Sequence, residues 1–119
     1  MAVITPTVTY APDRQPDAVL VSWAAMANGD TGAPFSGFGL KDGSVQIEGT
    51  FGVGGSVTMQ MSNDGTNWQA AADPQGNDVT KTAADLETLL DIVGRQIRPN
   101  VTAGDGTTSL TVTLFGVRR

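Results

Sequence analysis

The chain has 119 residues, the size of one domain and enough to bury a core without disulfides or metals. It contains no cysteine and no histidine, which excludes thiol nucleophiles, disulfide frameworks and thiolate zinc sites, and removes the commonest general base and transition-metal ligand. A net charge of −5 disfavours nucleic-acid phosphates as partners, and no apolar run reaches the roughly 20 residues that span a bilayer.

The N-terminus, MAVITPTVTYAPDRQPD, lacks the basic and apolar regions of a signal peptide, so synthesis as a soluble intracellular protein is expected. Pro6, Pro12 and Pro16 argue against a central strand, because proline cannot donate to a ladder. VITPTVTY therefore reads as an edge strand or an extended arm lying on a neighbour. The arm is the favoured reading, with residues 1–16 as arm and 17–119 as body.

AVLVSWAAM (18–26) is apolar on both faces, Val19, Val21 and Trp23 on one and Leu20, Ala24 and Met26 on the other, as in a strand buried on both sides. ANGDTGAP is a loop by composition, FSGFGL a short strand and KDGS a turn. SVQIEGTF then places Val45, Ile47, Gly49 and Phe51 on one face, and SVTMQMS places Val57, Met59 and Met61 likewise. Such alternation marks strands with one wet face, and the intervening GVGG predicts that the two pair as an antiparallel hairpin.

SNDGTNWQ (62–69) is a polar turn ahead of a tryptophan. Asn63-Asp64-Gly65 suits a hairpin loop with glycine at the left-handed position, followed by a strand over 66–71 that carries Trp68 into the core. In AADLETLLDIV (83–93), Leu86, Leu89, Leu90 and Val93 recur at helical spacing. Asp85 and Glu87 lie in the first turn and Gly94 is the stop, which predicts one short helix. RQIRPNVTA is a strand whose Pro99 points to an edge or a bulge. SLTVTLFGV closes the chain with Leu110, Val112 and Leu114 facing inward. About eight short strands with one helix predict an all-β antiparallel sandwich, jelly-roll or immunoglobulin-like, with periodicity leaving the two open.

Candidate chemistry is sparse. DGTNW has calcium-type oxygens but lacks the set of about six to eight ligands that the ion takes. Asp30, Asp42, Asp64, Asp73, Asp78 and Asp105 sit in turns, where such residues occur anyway, and nothing selects two as a glycosidase pair. The serines have no histidine to activate them, and the glycine runs lack the context of a phosphate cradle. Trp23 reads as core; Trp68 is the one aromatic that invites comparison with a sugar platform. Five of the seven cations are arginines (Arg14, Arg95, Arg98, Arg118 and Arg119), a type suited to interface ion pairs.

NGDTGAPFS, DGSVQIEGTFGVGGSVTMQMSNDGTNW, DPQGND and RQIRPNVTAGDGTTSLTVTLFG, in that order, resemble small tailed-bacteriophage virion proteins of the capsid-decorating type. The likeness spans about Trp23 to Gly116. It implies a β-sandwich cement protein, homotrimeric, seated on the outer capsid surface after synthesis in the host cytoplasm and clamping subunits of the major capsid protein. It also implies no enzyme, cofactor, metal, nucleic acid, membrane or small-molecule substrate. An extended arm can add to a neighbour's sheet edge through main-chain bonds, which makes Thr5, Pro6, Thr7, Val8, Tyr10, Arg14, Arg118 and Arg119 the candidate interface residues. Deleting residues 1–16 is then expected to weaken capsid binding and leave the body folded. The alternatives are another phage head–tail or tail component, or a carbohydrate-binding module using Trp68.

Overall fold

The computed structural model describes residues 1–10, 18–36, 40–89 and 95–118, and every regular element among them is a strand. In chain order these are β1 (Val3–Ile4), β2 (Thr7–Tyr10), β3 (Ala18–Met26), β4 (Thr31–Gly32), β5 (Phe35–Ser36), β6 (Leu40–Thr50), β7 (Ser56–Ser62), β8 (Gln69–Ala70), β9 (Thr80–Lys81), β10 (Asp85–Leu89), β11 (Gln96–Ala103) and β12 (Ser109–Arg118). One sheet has the order β10-β6-β12-β3-β2 and is antiparallel throughout. The other runs β1-β4-β11-β7-β8, with β5 also on β11 and β9 also on β7; only β1–β4 is parallel.

β4 and β5 share one neighbour, as do β8 and β9, so each pair acts as one interrupted strand. The layers then read β3-β12-β6-β10 and β4/β5-β11-β7-β8/β9, and the chain crosses between them at every step except from β7 to β8/β9. This is jelly-roll topology, which decides between the two sandwich types left open above. The core lies between the layers: Val19, Val21, Trp23 and Met26 of β3, Val45 and Ile47 of β6, and Leu110, Val112 and Leu114 of β12 face Val57 and Met59 of β7 and Ile97 and Val101 of β11.

Four expectations are corrected. First, β6 and β7 do not form a hairpin. They belong to opposite sheets, and the 51–55 turn carries the chain across one end of the sandwich. Their apolar faces meet through the core instead of sharing a ladder, and alternation is equally satisfied either way. The turn is held from the 104–108 loop. Asp105 Oδ2 accepts the Val53 N–H at 2.9 Å, and the Thr108 hydroxyl donates to the Phe51 carbonyl at 2.7 Å. Gly52 has φ 75°, and any Cβ there would strike the Asp105 carboxylate.

Second, the described part of the predicted helix is strand. β10 pairs antiparallel with β6 from Asp85↔Ile47 to Leu89↔Gly43. Leu89 is buried, whereas Leu86 is 63% exposed on the opposite face. A helix here would leave the β6 edge without a ladder partner; tertiary pairing overrides a spacing that half-fits both periods. Leu90 to Gly94 lie outside the described residues.

Third, β3 buries its large side chains on one face only, and Met26 joins Trp23 on it. Met26 pairs with Leu110 and Trp23 with Val112, so Ala24 and Ala25 together oppose Thr111. This bulge, with Ala25 at φ 55°, shifts the alternation by one residue and turns Met26 inward.

Fourth, the N-terminal segment is extended but occupied by its own body. β1 lies on β4 and β2 on β3, so residues 1–10 strap one sheet to the other. Asp30, 6% exposed, anchors the strap: Oδ1 accepts the Ala2 N–H at 2.8 Å and Oδ2 the Ala27 N–H at 2.9 Å. These bonds satisfy a carboxylate that would be costly to bury alone.

Pro99 occupies an interior position of β11, pairing with Met59. Met59 directs its own N–H to Val79 and its carbonyl to the Ala71 N–H, so it exchanges no ladder bond with Pro99. On the other side the partner strand is interrupted between β4 and β5, where no donor is required. The same interruption frees the Ala33 carbonyl to accept the Trp23 indole N–H at 2.9 Å.

Candidate functional site

Two surfaces carry the residues singled out by the sequence. The first is the outer edge of β2. Thr7, Val8 and Tyr10 are exposed there, Tyr10 at 61%, and β2 ends its sheet. Thr5 is exposed and Pro6 half-buried in the link from β1. The opposite edge of the sheet, β10, is guarded by charge. Lys81 Nζ reaches Asp85 at 2.9 Å and Glu87 at 2.6 Å, tying β9 to β10 and one sheet to the other. Hydrogen bonding to Lys81 lowers the Asp85 pKa, and the carboxylates raise that of Lys81. Edge strands invite pairing unless blunted by charge or cover, and TVTY carries no charge. Arg118 pairs through its backbone with Leu40 at the far end of β12; Arg14 and Arg119 lie outside the described residues.

The second surface is the outer face of the seven-stranded sheet. The 62–67 turn is built as expected. Asp64 Oδ1 accepts from the Ser62 hydroxyl and from the Thr66 and Asn67 N–H groups at 2.8 to 2.9 Å, while Oδ2 accepts from the Asn67 amide at 2.8 Å. Those donors hold its carboxyl well below the usual carboxylate range. The hairpin returns through Gln69 and Ala70, paired with Met61 and Gln60. Trp68, however, is not in the core. It is half-buried on the surface, and the Arg98 guanidinium lies 4.1 Å from its ring centroid. Arg98 alternates with buried Ile97 and Pro99 on β11, so it points away from the core, and its Nε donates to Gln60 Oε1 at 3.0 Å. Partial burial lowers its pKa without discharging it near neutral pH.

A shallow depression of about 280 Å³ adjoins the hairpin, lined by Met61, Ser62, Asn63, Asn67 and Gln69. Asp30, Asp64, Asp73 and Asp105 each accept from backbone N–H groups, Asp30 and Asp105 from parts of the chain far away in sequence. Among the described residues no group of three or more acidic side chains could hold a metal ion. Pairing of Arg98 with Trp68 escapes sequence reading because their contact spans two sheet neighbours and 30 residues of chain. Five arginines against two lysines was the only signal.

Fold and surface together define a jelly-roll sandwich in which, among the described residues, β2 ends one sheet and the other carries an aromatic–cation pair. The chain is similar in fold to the SPBc2 prophage-derived protein YomS, with TM-score 0.65 and 14% sequence identity over 84% of this chain and 94% of that one. Weaker likenesses include CBM32-3 from a family 31 glycoside hydrolase of Clostridium perfringens, with TM-score 0.43 and 14% identity over 95% of this chain and 88% of that one. Another is KdgF from a Halomonas species, with TM-score 0.41 and 14% identity over 96% and 78%. Neither of these two supports a functional inference. No family model matches the chain, and no curated protein matches it in sequence.

Proposed function

We propose that this chain is a structural protein of a tailed-phage particle: a non-enzymatic, homotrimeric cement protein that decorates the outside of the head and clamps major capsid subunits. The observation that supports the reading is the likeness of fold to a prophage-derived protein over 84% of this chain and 94% of that one. The motif order quoted above adds the decorating type. Among the described residues β2 ends its sheet, and main-chain donors and acceptors along a sheet edge suit an added strand from a shell subunit. Many modest contacts, repeated over a shell, hold through avidity.

The test is reconstitution. Heads assembled without the protein are incubated with purified chain, and cryo-EM maps are compared before and after, together with survival of the heads under heat. Ordered external density and improved survival are expected. Heads that neither bind the chain nor gain resistance would sink the reading, and density in the tail would move it to the head–tail alternative. A sugar-binding role for Trp68 is disfavoured by Arg98, which already covers one face of the ring.

A further inference from the structure

Resting on that reading and extending it, we propose that the Trp68–Arg98 pair is the hot spot through which the chain grips an acidic surface of the shell. Arg98 takes a carboxylate, and Trp68 covers the aliphatic stem beside it.

Three observations carry this. Arg98 is oriented before any partner arrives, its Nε bonded to Gln60 and its guanidinium laid on the indole. A fixed guanidinium loses little side-chain freedom on binding, and its remaining N–H groups match a carboxylate in a two-pronged fashion. Next, the cation lacks a counter-charge among the described residues. Lys81 holds two carboxylates, but neither Arg98 nor Arg95 forms an ion pair among the described residues, on a chain of net charge −5. Asp64, the acid of the neighbouring turn, engages both of its oxygens within that turn. Finally, the turn that precedes Trp68 leaves the Asn63 amide nitrogen and the Asn67 amide oxygen to meet the partner's backbone. The other ends of Asn63 and Asn67 are occupied by the Arg95 N–H and by Asp64. Tryptophan and arginine are the types most enriched where interfaces concentrate their binding energy.

The competing explanation is that the stack only pins the β7–β8 hairpin to β11. Binding to heads assembled without the protein separates the two, using wild type, Arg98→Gln, Arg98→Lys and Trp68→Phe, with thermal unfolding measured in parallel. Expected is a loss of affinity of about tenfold or more for Arg98→Gln, with smaller losses for Arg98→Lys and Trp68→Phe. Wild-type binding should also weaken with salt more steeply than that of Arg98→Gln. Wild-type affinity and salt dependence in Arg98→Gln would overturn the proposal, as would losses that merely track unfolding. If wild type itself fails to bind heads, the capsid reading fails and this inference goes with it; if it binds and the variants match it, only the hot spot is lost.

Discussion

At the scale of single residues, the turn aspartates act as clamps. Asp105 is the clearest case: its carboxylate ties Val53, 52 residues earlier in the chain, to Thr107 in its own loop. Hydrogen bonds from the Thr107 hydroxyl and the Val53 and Thr107 N–H groups hold its pKa down at about 2, and Asp64 is shifted the same way. A carboxyl whose pKa is depressed in the folded state stabilises above its unfolded value and ceases to do so as pH falls through the folded one. Stability is therefore expected to decline between about pH 4 and pH 2 as these clamps protonate. Asp105→Asn should be less stable near neutrality and flatter across that window. Urea unfolding at stepped pH checks this; an unchanged slope would deny Asp105 the role. Asp105 was legible as a turn residue, but its reach to Val53 was not, because that contact depends on two loops meeting at one end of the sandwich. Gly32 was equally opaque. A methyl there would sit 2.6 Å from the Trp23 indole nitrogen and 2.5 Å from Pro99 Cδ, a closeness that only the packed layers create.

At the scale of elements, β10 shows how a spacing can mislead. Leu86 and Leu89 are three apart, which suits a helix face, yet in the strand they point to opposite sides of a sheet. The two readings make opposite predictions. Leu89→Ala should cost about 2–5 kcal/mol, the range for truncating a buried leucine, while Leu86→Thr should change stability by under about 0.5 kcal/mol. Chemical denaturation of both variants decides; equal, large losses would restore an amphipathic helix with both leucines inward. The strands at 57–61 and 110–114, and the inward rows of β6, were readable because strict alternation is local. Strand length was less so: Lys41-Asp42-Gly43-Ser44, read as a turn, is the first part of β6, since β12 and β10 pair along it.

At the scale of the whole molecule, residues 1–10 tie the layers together instead of trailing free. Cutting away the arm is therefore no longer expected to leave the body intact, for it would strip the β3 edge and leave the buried Asp30 carboxylate short of a donor. Asp30→Ala tests the strap with the chain otherwise whole. Two backbone N–H groups lose their acceptor, at a cost of about 1–3 kcal/mol. Hydrogen exchange should quicken across residues 3–10 more than in the core of β12. Uniform protection in the variant would mean that strand pairing alone holds the strap.

Taken alone, the amino-acid order decided which side chains turn inward along most of the regular strands and the predominance of strand. It also ruled out any chemistry that needs histidine or cysteine. Only the tertiary structure decided which strands are neighbours, that β6 and β7 lie in different layers, that Met26 turns in beyond a bulge and that Trp68 stays out under Arg98. The division has a physical cause: the pleat alternates side chains from residue to residue, whereas ladder partners, and the surface contacts they bring together, come from parts of the chain far apart in sequence.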